Sequence, residues 1–286
     1  MTIRNPIEWG IDQLNLTGAA LTTAGHAVGE SQAQRSAPVP LVRRIGLADL
    51  KDAVARGLDD FGACRTDVVF LCLIYPVLGL LLARLAFGYE MLPLLFPLAS
   101  GFALLGPFAA IGLYEMSRRR ELGHRPALPN ALGLVRSPAF GAIAAMGAVL
   151  VAIFLCWLGA AMGIYAATLG PKAPASLASF ARDVLMTAPG WALIVVGVGT
   201  GFLFAVGVLT ISVVTFPLLL DRDVTLGTAI GASVRVVRAN PGTMAAWGLF
   251  VAGALVLGSI PLLFGLIVVL PVLGHATWHL YRKVIA

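Results

Sequence analysis

The chain has 286 residues, 59% hydrophobic and only 12% charged, with a mean hydropathy of +0.91. A soluble domain of this length needs more polar surface, so the composition excludes a soluble globular protein and points to a membrane. The net charge of +6 and pI near 9.7 do not signal nucleic acid. The basic residues sit beside apolar runs, where anionic headgroups and cytoplasmic orientation account for them.

Residues 1–44 are the least apolar part. Asn5-Pro6 is a helix start, with the apolar stripe Ile7, Ile11 and Leu14 behind it, and no cleavable signal peptide pattern is present. Residues 29–40 carry Pro38 and Pro40 without periodicity and read as a linker. Residues 47–61 predict an amphipathic helix. Leu47, Leu50, Val54, Leu58 and Phe61 make its apolar face, and Asp49, Lys51, Asp52, Arg56 and Asp59 make the other. It runs almost directly into an apolar block, which places it in the cytoplasmic interface.

A hydrocarbon core of roughly 30 Å takes about 20 helical residues to cross. Residues 68–88 fit a first span and 91–114 a return. Residues 139–168 go out and 191–220 come back. The last apolar block, 244–284, is too long for one helix, and Gly258-Ser259-Ile260-Pro261 divides it into spans 244–260 and 262–284, a re-entrant pair being the alternative. The expected fold is therefore all-α: a polytopic membrane bundle of six transmembrane helices in three hairpins, with interfacial amphipathic helices. Lys and Arg concentrate before span one, after spans two and four, and at Arg282-Lys283. This bias puts both termini in the cytoplasm. Each outward span is preceded by a helical segment, ending at Asp67, Ser137-Pro138 and Asn240-Pro241, which suggests a threefold repeat.

The segment around Glu115, Arg118, Arg119 and Arg120 stops span two at the cytoplasmic boundary, with Glu115 in ion-pair range of the triplet. Gly159-xxx-Gly163 and Gly197-xxx-Gly201 are helix-packing signals, since small residues let backbones approach closely. His275 and His279, four apart on one face of the last span, could offer two imidazoles to a metal or one to a haem iron. The alternative is an interfacial belt with Trp278 and Tyr281, flanked by Arg282 and Lys283. Cys64, Cys72 and Cys156 form no metal or redox motif. No P-loop, dinucleotide fingerprint, nucleophile elbow or His-Glu-x-x-His is present, so no common enzyme class, catalytic residue, cofactor or metal is expected.

Gly-Leu-Tyr-Glu-Met-Ser-Arg-Arg-Arg-Glu-Leu-Gly at 112–123 resembles the signature of a bacterial family of predicted integral membrane proteins of unknown function. Leu-Leu-Asp-Arg-Asp-Val-Thr-Leu-Gly-Thr-Ala-Ile-Gly-Ala-Ser-Val-Arg-Val-Val-Arg-Ala-Asn-Pro-Gly at 219–242 does so too, and the resemblance runs roughly from Arg44 to the C-terminus. It implies a bacterial inner-membrane location. Some members are labelled cytochrome c oxidase subunits, but spans one to five here contain no histidine, which excludes a haem-ligating core subunit. The expected role is a non-catalytic accessory subunit or assembly factor, partnered by lipid and by a respiratory or photosynthetic complex. The alternative is a stand-alone transporter or channel.

Overall fold

The computed structural model describes residues 39–64, 84, 92–124, 139–170, 174–261 and 263–286. Expected span one, the N-terminal tail and the middle repeat segment ending at Ser137-Pro138 lie outside the described residues. Among those described, every named element is helical.

The first helix, α1, spans Leu47–Ala63. The Gly46 N–H donates to Asp49 Oδ2 at 2.9 Å, and Asp49 adds negative charge where the helix dipole favours it. The buried face of α1 is Leu50, Ala53, Gly57 and Asp60. This corrects the expected stripe, because Leu47 and Leu58 are exposed. Leu50 is buried and Val54 and Phe61 pack against the core, while the small Ala53 and Gly57 let a neighbouring helix come close.

The stretch expected as one span at 91–114 is instead broken. A 3-10 turn at Leu92–Leu94 leads into α2 (Leu95–Leu104), then α3 (Gly106–Ala109) and α4 (Ile111–Glu121). Pro107, with no N–H to donate, sits in the first turn of α3, where that donor is not needed. Helix α4 carries the arginine triplet in its last turn, so the triplet is helical rather than a terminating loop.

Among the described residues, three helical runs are long and apolar enough to cross a membrane: α5 (Phe140–Thr168), the run Ala188–Asp221, and α10 (Pro241–Ser259). They correspond to expected spans three, four and five. The second run bends into α7 (Ala188–Ser212) and α8 (Thr215–Asp221). Between α5 and α7, where a plain external loop is expected, lies a further helix, α6 (Leu177–Met186). Helix α9 (Leu226–Ala239) is capped by the Thr225 side chain and precedes α10. Helix α11 (Leu266–Val284) follows turn residues at 260–261 and 263–265, so the last apolar block divides where Gly258–Pro261 predicts.

The core is continuous from α1 to α11. Trp157 of α5, Phe216 of α8, Trp247 of α10, Trp278 of α11 and Ala53 of α1 belong to one buried cluster. The Trp157 indole donates to the Pro97 carbonyl at 3.0 Å, so this buried polar atom is satisfied.

Asn240 does not cap α10 through its side chain, although Pro241 does begin that helix. Its amide instead pins the strand of chain entering α1. Oδ1 accepts from Ile45 N at 2.8 Å, and Nδ2 donates to the Arg43 and Val236 carbonyls at 3.1 and 3.2 Å. The same entering segment pairs with the chain's end, through Arg43 N to Val284 O at 2.8 Å and Ala286 N to Leu41 O at 2.9 Å. Asn240 is buried, so Asn240→Ala leaves a backbone donor and acceptor unmet. We expect a loss of about 1–3 kcal/mol in detergent unfolding. An unchanged midpoint would show that this clasp contributes nothing.

Candidate functional site

Three helices bring their charged ends together. Asp60 follows Ala53 and Gly57 on the buried face of α1. Ser117 and Arg120 lie one turn apart on α4, beyond the buried Leu113 and Met116. His275 and His279 stand one turn apart on α11, whose buried face runs from Pro271 to Val284. Close approach makes the meeting possible, since a Cβ added at Gly57 would fall 2.7 Å from the Ala276 amide nitrogen.

Asp60 is the hub. Its Oδ2 accepts from Ser117 Oγ at 2.5 Å and from His279 Nε2 at 2.8 Å, while Oδ1 takes the Arg120 guanidinium. Burial by itself raises a carboxyl pKa, but hydrogen bonds from His279, Ser117 and Arg120 outweigh it and bring Asp60 down to about 2. Asp60 is therefore ionised. Ser117 has one proton and gives it to this carboxylate, so the contact of 2.7 Å between Ser117 Oγ and His275 Nδ1 is donated by His275. That fixes the tautomer with hydrogen on Nδ1. Nε2 is left as a buried acceptor with no partner among the described residues, on a ring that is fully buried.

The result is a hydrogen-bonded chain, His279–Asp60–Ser117–His275, running from a cleft into the packed interior. The cleft has a volume of about 530 Å³ and is lined by polar and charged side chains, among them Arg56, Asp59, Arg120, His279 and Arg282. Serine, histidine and aspartate meet here, but not as a hydrolytic triad. A nucleophilic serine needs a base to take its proton. Here the serine donates to the carboxylate, and the imidazole faces it with a donor.

Ion pairs and hydrogen bonds between the surrounding side chains close the site. Glu121 accepts from Trp278 Nε1 at 3.1 Å and Arg282 Nε at 3.0 Å. Asp221 accepts from the Tyr281 hydroxyl at 2.7 Å. Lys283 lies 2.8 Å from Asp52, tying α11 back to α1.

The sequence candidates divide as follows. His279 meets the Asp60 carboxylate directly and His275 reaches it through Ser117, and they do not form a belt, because Trp278 and Tyr281 are also buried within the protein. Among the described residues no group of three or more His, Cys, Asp or Glu is placed to hold a metal. Glu115 pairs with Arg119 at 2.6 Å and Arg118 at 3.4 Å, whereas Arg120 leaves that group for Asp60. The glycine motifs are largely uncovered within the chain. Gly159, Gly163 and Gly197 face open space, and only Gly201 lies against a neighbour, Trp157. The reason is rotational. Helix α5 turns Trp157 and Ala161 inward, and a residue two positions away sits about 200° around the helix.

Sequence reasoning missed Asp60 and Ser117. Asp60 reads as one more acid on a polar face. The available signal is its place three residues after Gly57 and seven after Ala53, on the small-residue stripe.

No curated protein and no solved structure matches the chain. One family model does, over residues 95–221, which is less than half of the chain and narrower than the resemblance from Arg44 onward. It contains Ser117 and the arginine triplet but not Asp60 or the two histidines. The model is described as Predicted integral membrane protein (DUF2189), and residues 95–221 are similar to that family.

Proposed function

We propose that this protein is a non-catalytic accessory subunit or assembly factor of a larger complex in the bacterial inner membrane. The observation that carries this reading is the uncovered glycine surface. Gly159 and Gly163 on α5, with Gly197 on α7, have nothing within 4 Å of an added Cβ, although small residues at this spacing suit close contact between membrane helices. Apolar side chains such as Val195, Phe202 and Leu203 are exposed beside them, as lipid- or partner-facing surface requires.

Orientation with both termini in the cytoplasm is supported by charge and by pairing. The segment at Leu41–Arg43 pairs with Val284–Ala286 on one side of the molecule, near Arg118, Arg282 and Lys283. Cationic segments of this kind are retained on the cytoplasmic side.

The test is gentle native purification followed by mass spectrometry of the co-purifying subunits. Stoichiometric recovery with respiratory or photosynthetic subunits, lost in Gly159→Leu/Gly163→Leu, is the expected result. Open space at both sites means that the double variant should still fold. A lone monomer or homo-oligomer would overturn the proposal.

A second reading, a stand-alone transporter or channel, is favoured by the buried Asp60–Ser117–His275 chain. Ionisable networks in membrane proteins often carry protons or ions. Solute or proton movement in liposomes, abolished by His275→Gln, would establish it over the first.

A further inference from the structure

Helix α6 is held at both ends by the two runs that it connects. The Phe180 ring lies 6.4 Å from that of Tyr165 at the end of α5. At the other end the Thr187 hydroxyl donates to the Asp183 carbonyl at 2.5 Å, and the Trp191 indole donates to the Leu185 carbonyl at 3.1 Å. Gly190 permits this tight reversal, since a Cβ there would fall 2.1 Å from the Asp183 oxygen. The N-terminus of α6 is closed by a reciprocal Ser176–Ser179 capping box.

At about 100° per residue, the side chains from Phe180 through Val184, Leu177 and Ala181 to Leu185 cover an apolar arc of about 140°. Ser179, Arg182 and Asp183 occupy the opposite side. Only one edge of that arc is used inside the protein, where Phe180 and Val184 are half-buried. The other edge is bare: Leu177 is 54% exposed and Leu185 52%, with Trp191 55% exposed beside them at the start of α7.

The flanking helices identify what covers it. Helix α5 and the run beginning at Ala188 are both long and apolar enough to cross a membrane, so a helix fixed between their adjacent ends sits at a bilayer surface. It is the surface away from Asp221, which the same run reaches at its other end. A helix with this pattern and an adjacent tryptophan fits the headgroup boundary.

We propose that α6 is a membrane-surface helix that inserts its Leu177, Ala181 and Leu185 edge into the lipid on the face opposite the Asp60 cluster. The occupant of this edge is bilayer lipid. The contact sets the depth of α5 and α7 from the side away from the charged cleft, independently of any partner subunit or transport activity.

The test is a nitroxide scan of the full chain in vesicles of phosphatidylethanolamine and phosphatidylglycerol, with Cys64, Cys72 and Cys156 replaced by alanine. Labels at Leu177→Cys, Ala181→Cys and Leu185→Cys should be several-fold more accessible to oxygen than to a water-soluble nickel chelate. Labels at Ser179→Cys and Asp183→Cys should show the reverse. Equal access to nickel at all five sites would overturn the proposal. So would shielding of the leucine edge from both reagents, which would assign the edge to a protein partner or a second copy. A label at Val195→Cys, exposed on α7, reports whether the variants have inserted at all, so misfolding cannot be mistaken for either result.

Discussion

Replacing Asp60 by alanine is expected to cost about 3–5 kcal/mol of unfolding free energy, the range for removing one partner of a buried charged pair. The carboxylate serves Ser117, His279 and Arg120 together, and through Ser117 it orients His275. Its loss strands the buried Ser117 hydroxyl and leaves the more exposed Arg120 guanidinium without its partner. Asp60→Asn should cost less, about 1–3 kcal/mol, because an amide oxygen still accepts hydrogen bonds while the charge facing Arg120 is gone. The control is its neighbour Asp59, which is exposed, and Asp59→Asn should stay within about 0.5 kcal/mol of the parent. Denaturant titration in mild detergent separates these outcomes. Equal effects at Asp59 and Asp60 would remove the hub from the account.

The same carboxylate sets a pH dependence. Its folded pKa, about 2, lies below the unfolded value near 3.9, so the folded state holds this group deprotonated more strongly than the unfolded state does. Its contribution is fully present above about pH 4 and is lost as pH falls from there through about 2. Asp60→Asn should flatten stability in that window and leave it unchanged near neutrality apart from the constant loss.

How far the sequence could be read depended on what hydrophobicity measures in a membrane protein. The extent of α1 was legible, since 47–61 differs from Leu47–Ala63 only at the end. Its buried face was not. Hydrophobicity alone does not sort the residues of that face, since Leu47 and Leu58 are exposed while Leu50 is buried and Val54 and Phe61 pack against the core. The small residues Ala53 and Gly57 belong to the packed face as much as Leu50 does. The apolar lengths of α5, α7 and α10 were legible for the related reason that crossing a bilayer depends on length and composition alone. The break of 91–114 into α2, α3 and α4 follows from Pro107 and from packing on α5, and only the first of these is visible in a string of residues. For the site, the i,i+4 spacing put His275 and His279 on one face. The carboxylate that His279 meets directly, and His275 through Ser117, lies 219 residues from His279, and no local pattern encodes that distance.

The crossing that builds the site can be tested with one substitution made at two places. Alanine in place of glycine within a helix is worth up to about 1 kcal/mol in favour of folding, through propensity. At Gly62 on the exposed side of α1, nothing lies within 4 Å of the new Cβ, so Gly62→Ala should be neutral or stabilising. At Gly57 the new Cβ would fall 2.7 Å from the Ala276 amide nitrogen, 2.9 Å from the Ala276 Cβ and 2.9 Å from the Val272 carbonyl oxygen. Two of those three neighbours are backbone of α11 and cannot rotate away, so the helices must separate. Overpacking of this kind costs about 1–3 kcal/mol. Gly57→Ala should therefore destabilise where Gly62→Ala does not, and Gly57→Val should do so more strongly. Separation of α1 from α11 also draws Asp60 away from His279, so Gly57→Ala should weaken the acid-side dependence that Asp60 imposes. Adding Ala276→Gly removes one of the three clashes and should recover part of the loss but not all of it. If Gly57→Ala and Gly62→Ala shift the unfolding midpoint alike, the two helices do not cross at Gly57, and the grouping of Asp60, Ser117 and the two histidines loses its foundation.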